Sequence, residues 1–290
     1  MNGDEKGSSE GDAKGRGEGN SDQARPVRSS RYSRALERGL AIVACFTVER
    51  PLLGIRELAE MLDMSPATTY RYVSALATQG YLEQDPATSK YRLDLGAIDL
   101  GMAALSATGL CMHARPYLES LAERTSYTVA LAVLDGPEIL PVSQVPGSRR
   151  GQSRAGTEEV RVGSRLPAYC TSLGKVLLAE APADWQAELI SEMELLERAP
   201  KTILTAEQLQ AELDRVRDDG FAVNDEELAA GTCAIAAPVR DESGDVIAAV
   251  SVAALGGEIE LEQLTDRCLG PLMATAERIS ARLGWQEEGQ

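Results

Sequence analysis

A short helix with a marked start and a marked stop, inside residues 62–84, constrains the fold more than any other part of this chain. The stretch reads LDMSPATTYRYVSALATQGYLEQ. Ser65 can cap the free N–H groups of a first turn, and Pro66 fits a position where a missing N–H costs nothing. Gly80 suits the left-handed residue that ends a helix. The sequence therefore predicts a short helix between Ser65 and Gly80.

The two faces of this helix differ in character. Val73 and Leu76 recur at helical spacing, which predicts a buried face. The other face carries hydroxyl groups, an aromatic ring and one cation, from Thr68, Tyr70, Arg71 and Ser74. We expect this second face to contact a partner.

Helical periodicity precedes the capped helix, and a hairpin pattern follows it. From residue 32 the periodicity predicts a helix with an apolar stripe of Leu36, Leu40, Val43 and Phe46. A second helix is predicted over residues 55–62. Two short extended pieces joined by residues 85–88 have the pattern of a hairpin. Three helices and a hairpin make a winged helix-turn-helix, whose third helix enters the DNA major groove. A small helical domain without that purpose is the alternative.

The formal net charge of −16 argues against a nucleic-acid partner only if its distribution is ignored. Residues 1–24 carry six acids and three bases, which gives −3. Residues 25–92 carry ten bases and seven acids, which gives +3, and the remaining 198 residues carry 32 acids and 16 bases, which gives −16. A mildly basic block therefore adjoins an acidic body that DNA would repel. The predicted DNA-contacting set comprises Ser65, Pro66, Ala67, Thr68, Thr69, Tyr70, Arg71, Ser74 and Arg38.

The N-terminal segment, residues 1–31, is rich in Gly, Ser and acids and predicts a disordered tail. Its last part, RPVRSSR over residues 25–31, is either a solvated tail or a basic arm that reaches DNA phosphates. The chain has no signal-peptide pattern and no apolar run near the roughly 18 residues of a membrane span. The five cysteines lie 35 or more residues apart without a C-x-x-C pair. We therefore expect reduced thiols, no disulfide, no metal site, no membrane partner and a cytoplasmic location.

The second half predicts an α/β sandwich. A helix over residues 111–124 precedes two strands joined by Asp135 and Gly136, and an amphipathic helix closes at Gly220. Two nearly continuous apolar strands flank the turn ESGD and should be central, and a final helix covers residues 261–283. A helix is also predicted over residues 96–109, between the halves. Residues 146–159 lack periodicity and predict a mobile loop.

An enzyme with an accessory helical domain is the alternative function. His113 is the single histidine, so Cys–His or Ser–His–Asp catalysis would depend on it alone. TSLGK resembles a phosphate loop, but that motif would need glycine at Tyr169 and a hydroxyl at Val176. NDEE, residues 224–227, offers clustered carboxylates, although a solvated strand end explains them equally well. Retention of the upstream DNA in a gel shift would exclude a purely enzymatic role.

The chain resembles the IclR family of transcriptional regulators. The resemblance rests on RALERGLAIVACF, IRELAEMLDMSPATTYRYVSALATQGYLEQD and KYRLDLGAIDLG, then on GSRLPAYCTSLGKVLLAE, LDRVRDDGFAVNDEELAAGTCAIAAPVRD and VIAAVSVAAL, in that order. It is nearest to regulators of aromatic-acid catabolism, the protocatechuate and β-ketoadipate group. The resemblance implies an α+β chain with a winged helix-turn-helix domain, a linker helix and a GAF-like effector-binding domain. The expected boundaries are 1–31 for the tail, 32–94, 95–109 for the linker and 110–285.

The resemblance also implies a small carboxylic acid effector and no cofactor. We expect a homodimer formed through the linker helix and the wing region, and the resemblance adds dimers of dimers. The effector positions that match the family are Thr171, Ser172, Leu173, Gly174, Asn224, Ala234, Ser251 and Ala253. A strand-to-helix junction at residues 171–175 independently favours a carboxylate. Ala234 and Ala253 stand where glyoxylate-type members of the family commonly have cysteine and serine. The more apolar pocket wall predicts an aromatic or comparably sized acid rather than a two-carbon one. Ser172 as a simple helix cap and Ser251 as a satisfied core hydroxyl are the alternatives.

Overall fold

A computed structural model of the chain describes residues 34–47, 50–107, 109–148, 160–255, 257 and 259–286, without the side chains of residues 104–107. The predicted tail and basic arm, and most of the predicted loop at 146–159, lie outside these ranges. No helix within them is long and apolar enough to cross a membrane.

Three helices and a hairpin form the N-terminal part, as predicted. They are α1 (Arg34–Ala44), α2 (Ile55–Met61), α3 (Pro66–Thr78), β1 (Leu82–Gln84) and β2 (Tyr91–Leu93). The two strands pair antiparallel. The Ser65 hydroxyl accepts a hydrogen bond from the Thr68 N–H at 3.3 Å, and Gly80 has a φ of +78°. Both predicted boundaries of α3 are therefore confirmed.

The predicted apolar stripe of α1 is divided between the core and the surface. Leu36 is 64% exposed and Leu40 is 61% exposed. Phe46 of the stripe is buried, and it packs with Ile42 and Cys45 against α2, α3 and the hairpin. The helix carries two apolar faces, and periodicity alone could not tell which one the domain buries. The second face is left on the surface.

A fourth helix, α4 (Leu95–Ala107), follows the hairpin directly. No side chain that the structure describes in it is buried. Its large apolar side chains are more than half exposed, namely Leu95, Ile98, Leu100 and Met102. An apolar helix without a covering partner indicates a surface meant for contact.

The C-terminal part is a six-stranded sheet between two layers of helices. Its elements are α5 (Leu110–Thr125), β3 (Thr128–Asp135), β4 (Glu138–Val145), β5 (Leu166–Pro167), α6 (Ser172–Ala179), α7 (Ala183–Glu192), α8 (Ala206–Asp219), β6 (Ala222–Asp225), β7 (Cys233–Arg240), β8 (Val246–Ala254) and α9 (Leu261–Arg282). All neighbours in the order β5-β4-β3-β8-β7-β6 pair antiparallel. The predicted apolar hairpin is β7 and β8, and both lie inside the sheet. The short strand β5 and helix α7 were not predicted.

The two faces of this sheet are built from different side chains. The face towards α5 and α9 carries large, branched side chains such as those of Leu131, Val250 and Val252. The face towards α6 and α8 is nearly all alanine, at Ala130, Ala132, Ala222, Ala236 and Ala249. Small side chains let α6 approach the strands closely, and every residue of α6 is buried. The winged helix-turn-helix, linker helix and α/β domain together confirm the predicted fold class.

Candidate DNA-reading helix and effector pocket

The predicted DNA-contacting end of α3 is accessible. Ser65, Pro66 and Ala67 are exposed, and Tyr70 is 58% exposed. The Arg71 guanidinium lies 5.4 Å from the ring centroid of Tyr72, and it makes no ion pair within the described ranges. Its N–H groups therefore remain available to an acceptor outside the protein.

Thr69 is a correction to the predicted set. Its side chain is 0% exposed, and its hydroxyl donates to the Ser65 carbonyl at 3.2 Å. Position 69 lies four residues before Val73, so both point to the same side of the helix, towards the core. Thr69 fixes the first turn and cannot touch DNA through its side chain.

Thr68 and Ser74 are half-buried, so both remain partly accessible. The hydroxyl of Ser65 donates to that of Thr68 at 2.9 Å, which couples both groups to the helix cap. Arg38 lies beside the start of α3, because it lines a depression together with Asp63 and Met64. The remaining predicted residues therefore lie at the start of α3, along it, or beside its start.

The basic side chains of the hairpin form ion pairs. Lys90 contacts Glu57 of α2 at 2.8 Å, and Arg92 contacts Glu83 at 2.8 Å. The turn is closed by Asp85, whose carboxylate accepts N–H groups from the two residues that follow Pro86, both at 2.8 Å. The hairpin is therefore braced against α2, and its positive charge is largely offset.

The start of α6 offers two free amides. Thr171, and not Ser172, caps this helix, since the Thr171 hydroxyl accepts from the Gly174 N–H at 3.1 Å. The N–H groups of Ser172 and Leu173 have no acceptor in the described part of the chain. Two N–H groups at a helix N-terminus favour an anion, and the helix dipole adds to the effect.

Gly174 is a second correction. Its N–H is already bonded to Thr171, and it does not line the cavity described below. A Cβ at this position would lie 2.3 Å from both the Cα and the carbonyl oxygen of Ala168. The glycine is needed for close packing of α6 and contributes no donor to a ligand.

The other seven predicted effector residues line one cavity of about 40 Å³. Strand register explains part of this: Thr128 pairs with Ala253, Ala253 with Ala234, and Ala234 with Asn224, which forms one row across four strands. Sequence reasoning missed six further lining residues, namely Thr128, Gln144, Val160, Leu228, Thr232 and Leu255. Strand alternation alone could have placed Thr128 on the face of Ala130, but pairing between distant strands was not readable.

Four hydroxyl groups in the cavity wall have no hydrogen-bond partner in the described ranges. They belong to Thr128, Ser172, Thr232 and Ser251. The Ser251 hydroxyl is thus not satisfied within the core, and Ser172 is not the helix cap. Of the four, the Thr232 oxygen is the one that is fully buried. Since buried polar groups normally find partners, the cavity suits a polar ligand.

Asn224 holds the site together rather than offering its amide to the cavity. Its Nδ2 donates to the Cys170 carbonyl at 2.7 Å, and its Oδ1 accepts from the Glu227 N–H at 3.2 Å. The side chain thereby joins β6 to the residue that precedes the cap of α6. It fixes where the two free amides point.

Glu227 corrects the interpretation of NDEE as a solvated strand end. Its carboxylate is buried and contacts Lys175 at 2.6 Å, and Lys175 also contacts Glu212 of α8 at 3.1 Å. Burial raises the pKa of Glu227, and the Lys175 charge opposes the rise. Burial alone would also raise the pKa of Glu212, but Arg215 and Lys175 lower it overall. A buried lysine thus lies between two carboxylates, one on α8 and one just after β6.

The described ranges contain no cluster of three or more His, Cys, Asp and Glu side chains that could hold a metal ion. All five cysteines are free thiols. Burial, with Asp225 nearby, raises the pKa of Cys233 to about 11. His113 is half-buried in α5.

A helix-turn-helix with a free reading helix, joined to a sheet domain with a polar-rimmed cavity, defines a ligand-responsive DNA-binding protein. Residues 35–86 match the IclR helix-turn-helix domain, and residues 102–281 match the bacterial transcriptional regulator IclR C-terminal domain. The chain belongs to the IclR family of transcriptional regulators.

Proteins with similar sequences agree with the assignment to this family. The Pca regulon regulatory protein of Pseudomonas putida is 32% identical, over 87% of this chain and 84% of the relative. The p-hydroxybenzoate hydroxylase transcriptional activator of Acinetobacter baylyi is 30% identical, over 87% and 93%. These relatives are regulators, and this chain is a DNA-binding transcriptional regulator rather than an enzyme.

Solved structures agree as well. A transcriptional regulator from Rhodococcus sp. RHA1 shares 33% identity with a TM-score of 0.74, over 87% of this chain and 98% of that one. An IclR homologue from Microbacterium hydrocarbonoxydans, complexed with 4-hydroxybenzoate, shares 26% identity with a TM-score of 0.76, over 86% and 98%.

Proposed function

We propose that this regulator controls a catabolic operon in response to an aromatic carboxylic acid. The observation that carries the proposal is the cavity at the start of α6. Two amides and four hydroxyl groups that have no partner among the described residues surround its alanine floor. The neighbour complexed with 4-hydroxybenzoate supports the same class of ligand. A ligand that binds two conformations of the protein unequally changes operator affinity by the same coupling factor.

The carboxylate would lie on the N–H groups of Ser172 and Leu173, with the ring over Ala234 and Ala253. This assignment differs from the sequence-based one in leaving out Gly174. The enclosed volume of about 40 Å³ has room for about three water molecules. A ring-sized acid has to displace part of the wall, and such displacement is what couples binding to conformation.

The DNA-binding half of the proposal places Arg71, Tyr70 and the exposed N-terminal turn of α3 in the major groove. Thr68 and Ser74 flank this surface, and Arg38 is close enough to its start to reach a phosphate. An arginine on a guanine edge gives sequence discrimination, whereas an arginine on phosphate gives only affinity. Residues 32–94 would form the DNA-binding unit, 95–109 the linker and 110–285 the effector unit, in the cytoplasm with the DNA.

Dimerisation is the third part of the proposal. The unburied face of α1 joins α3 and α4 in an apolar groove of about 640 Å³, lined by residues that include Leu36, Leu40, Tyr72, Leu76 and Leu100. The exposed apolar side chains of α4 in a second copy of the chain have the right character to fill it. Two copies present two reading helices to two half-sites, which multiplies the affinity of a weakly basic domain.

The DNA half is tested by a gel shift with Arg71→Ala against the upstream DNA of the gene. We expect a loss of about 1–3 kcal/mol, or roughly five- to 150-fold, concentrated at one operator position if Arg71 reads a guanine. Arg124→Ala is the matched control, because Arg124 is an exposed arginine at the end of α5. Unchanged affinity in Arg71→Ala would remove α3 from the groove.

The effector half is tested by calorimetry on the full chain. We expect 4-hydroxybenzoate to bind the wild type, and to bind more weakly to a Ser172→Pro, Ser251→Val variant that lacks one amide donor and two hydroxyl groups. Equal binding to both proteins would place the pocket elsewhere. Tight binding of glyoxylate would refute the argument from size.

A further inference from the structure

Thr232 is a buried residue whose hydroxyl has nothing to bond. Its side chain is 6% exposed, its Oγ1 has no partner in the described ranges, and it lines the cavity at the start of α6. Leaving a buried hydroxyl unpaired costs free energy. A threonine that serves only packing could be a valine of nearly the same shape, without that cost.

Two hydrogen bonds hold the backbone of Thr232 in place. Its N–H donates to the Ala229 carbonyl at 3.2 Å, and its carbonyl accepts from the Glu226 N–H at 3.0 Å. The residue is therefore held at both backbone groups, directly before β7 begins. The hydroxyl faces a cavity whose occupant can satisfy it.

The position of Thr232 in the sheet indicates how large that occupant is. Thr232 lies two residues before Ala234, and Ser251 pairs with Ala236, two residues beyond it. At about 3.3 Å per residue, the Thr232 Cα and the row of Ser251 are about 13 Å apart along the strand. The alanine floor, Ala234 and Ala253, lies between them. A ligand that satisfies both hydroxyl groups needs polar atoms several ångströms apart, which a two-carbon acid lacks.

Thr128 is a weaker candidate for the same role. Its hydroxyl is also without a partner in the described ranges, but its side chain is only half-buried, so water can satisfy it. Thr232 is more than nine-tenths buried. It is therefore the group for which a ligand makes the larger difference.

We propose that Thr232 is a specificity residue that pairs with a hydroxyl group on the ring of the effector. The regulator then responds to hydroxylated aromatic acids in preference to the unsubstituted parent acids. The inference rests on the proposed function, because it needs an aromatic acid in this pocket. A site built to bond a hydroxyl rejects the analogue that lacks it, since the site's own polar group is then left unpaired.

Calorimetry on the full-length protein tests this with 4-hydroxybenzoate, benzoate and 4-methylbenzoate. We expect the wild type to bind 4-hydroxybenzoate at least about tenfold more tightly than the other two acids. Thr232→Val should weaken binding of 4-hydroxybenzoate about tenfold and leave benzoate within about twofold. Thr275→Val is the matched control, because Thr275 is also buried but its hydroxyl donates to the Pro271 carbonyl, outside the cavity.

Thermal unfolding without ligand gives a second readout. The unfolding temperature of Thr232→Val should equal or exceed that of the wild type, because the substitution removes an unpaired hydroxyl. The unfolding temperature of Thr275→Val should be lower than that of the wild type. A lower midpoint for Thr232→Val would mean that the protein itself satisfies the hydroxyl, and would overturn the inference.

The outcomes separate this inference from the function on which it rests. If the wild type binds all three acids equally, or if Thr232→Val weakens all three equally, Thr232 is not a specificity residue although the aromatic-acid pocket stands. If the wild type binds none of them, the aromatic-acid effector fails and the inference fails with it.

Discussion

Replacing Lys175 with methionine would leave two carboxylates buried without their shared cation. Lys175 is 1% exposed, and its ammonium lies 2.6 Å from Glu227 and 3.1 Å from Glu212. Methionine matches the length of the lysine stem, so little packing is lost. Removing one partner of a buried ion pair costs about 3–5 kcal/mol, because the remaining charge stays desolvated. We expect a loss in this range at pH 7.

The loss should shrink at lower pH. The pKa of Glu227 is raised by burial, and the lysine charge is one of the influences that hold it down. Without that charge the pKa rises further. A carboxyl whose folded pKa is raised contributes stability that is fully present below its unfolded pKa and is lost as pH rises through the folded pKa. The variant should therefore recover part of its stability between pH 7 and pH 5.

The assay is urea denaturation of the full chain followed by tryptophan fluorescence. Both tryptophans, Trp185 and Trp285, lie in the C-terminal half, so the signal reports unfolding of that half. Lys201→Met is the matched control, because Lys201 is 51% exposed and also contacts two carboxylates, Asp225 and Glu226. An exposed pair of this kind contributes about 0–1 kcal/mol.

The reasoning is refuted if Lys175→Met costs no more than Lys201→Met, or if its deficit is the same at pH 5 and pH 7. A Lys175→Met, Glu227→Met variant adds a further check. It should be more stable than Lys175→Met alone, since a buried pair replaced by apolar side chains leaves no unpaired charge at position 227.

Three further outcomes follow from the packing, the thiols and the groove. Gly174→Ala should destabilise the C-terminal half by about 1–3 kcal/mol or prevent its folding, because the new Cβ overlaps Ala168; an unchanged urea midpoint would contradict this. Cys233, with its pKa raised to about 11, should stay unmodified by iodoacetamide at pH 8 in the folded protein, as peptide mass spectrometry would report. Leu40→Glu should convert a dimer into a monomer in sedimentation, whereas Leu204→Glu, exposed but away from the groove, should not; a dimeric Leu40→Glu protein would exclude the groove as the interface.

Local signals in the sequence predicted the elements they specify. Ser65, Pro66 and Gly80 mark the bounds of α3 because capping is a property of a few adjacent residues. Gly220 ends α8 for the same reason. The fold class followed from the order of such elements, and the family resemblance supplied the effector positions.

Properties that depend on distant pairing were not predictable. The stripe of Leu36 and Leu40 has helical spacing whether it faces the domain core or a surface groove. Thr69 is a polar residue on the buried side of α3, the side of Val73, and its residue type does not reveal that. The burial of Glu227 was not predictable, because its partner Lys175 lies 52 residues earlier in the sequence. Thr232 could not be placed in a pocket without the register of β7 and β8.

The alanines on the inner face of the sheet have a consequence for how regulators of this build can diversify. At Ala234 and Ala253 the side chain meets the cavity, so adding a methyl or a hydroxyl there changes the room and polarity offered to a small molecule. The neighbouring Ala130, Ala222, Ala236 and Ala249 pack in the core beneath the helices and admit no such addition. Substitutions that add one or two atoms at Ala234 or Ala253 can thus change which ligand is preferred. The helix α3, which selects the operator, is not altered by them.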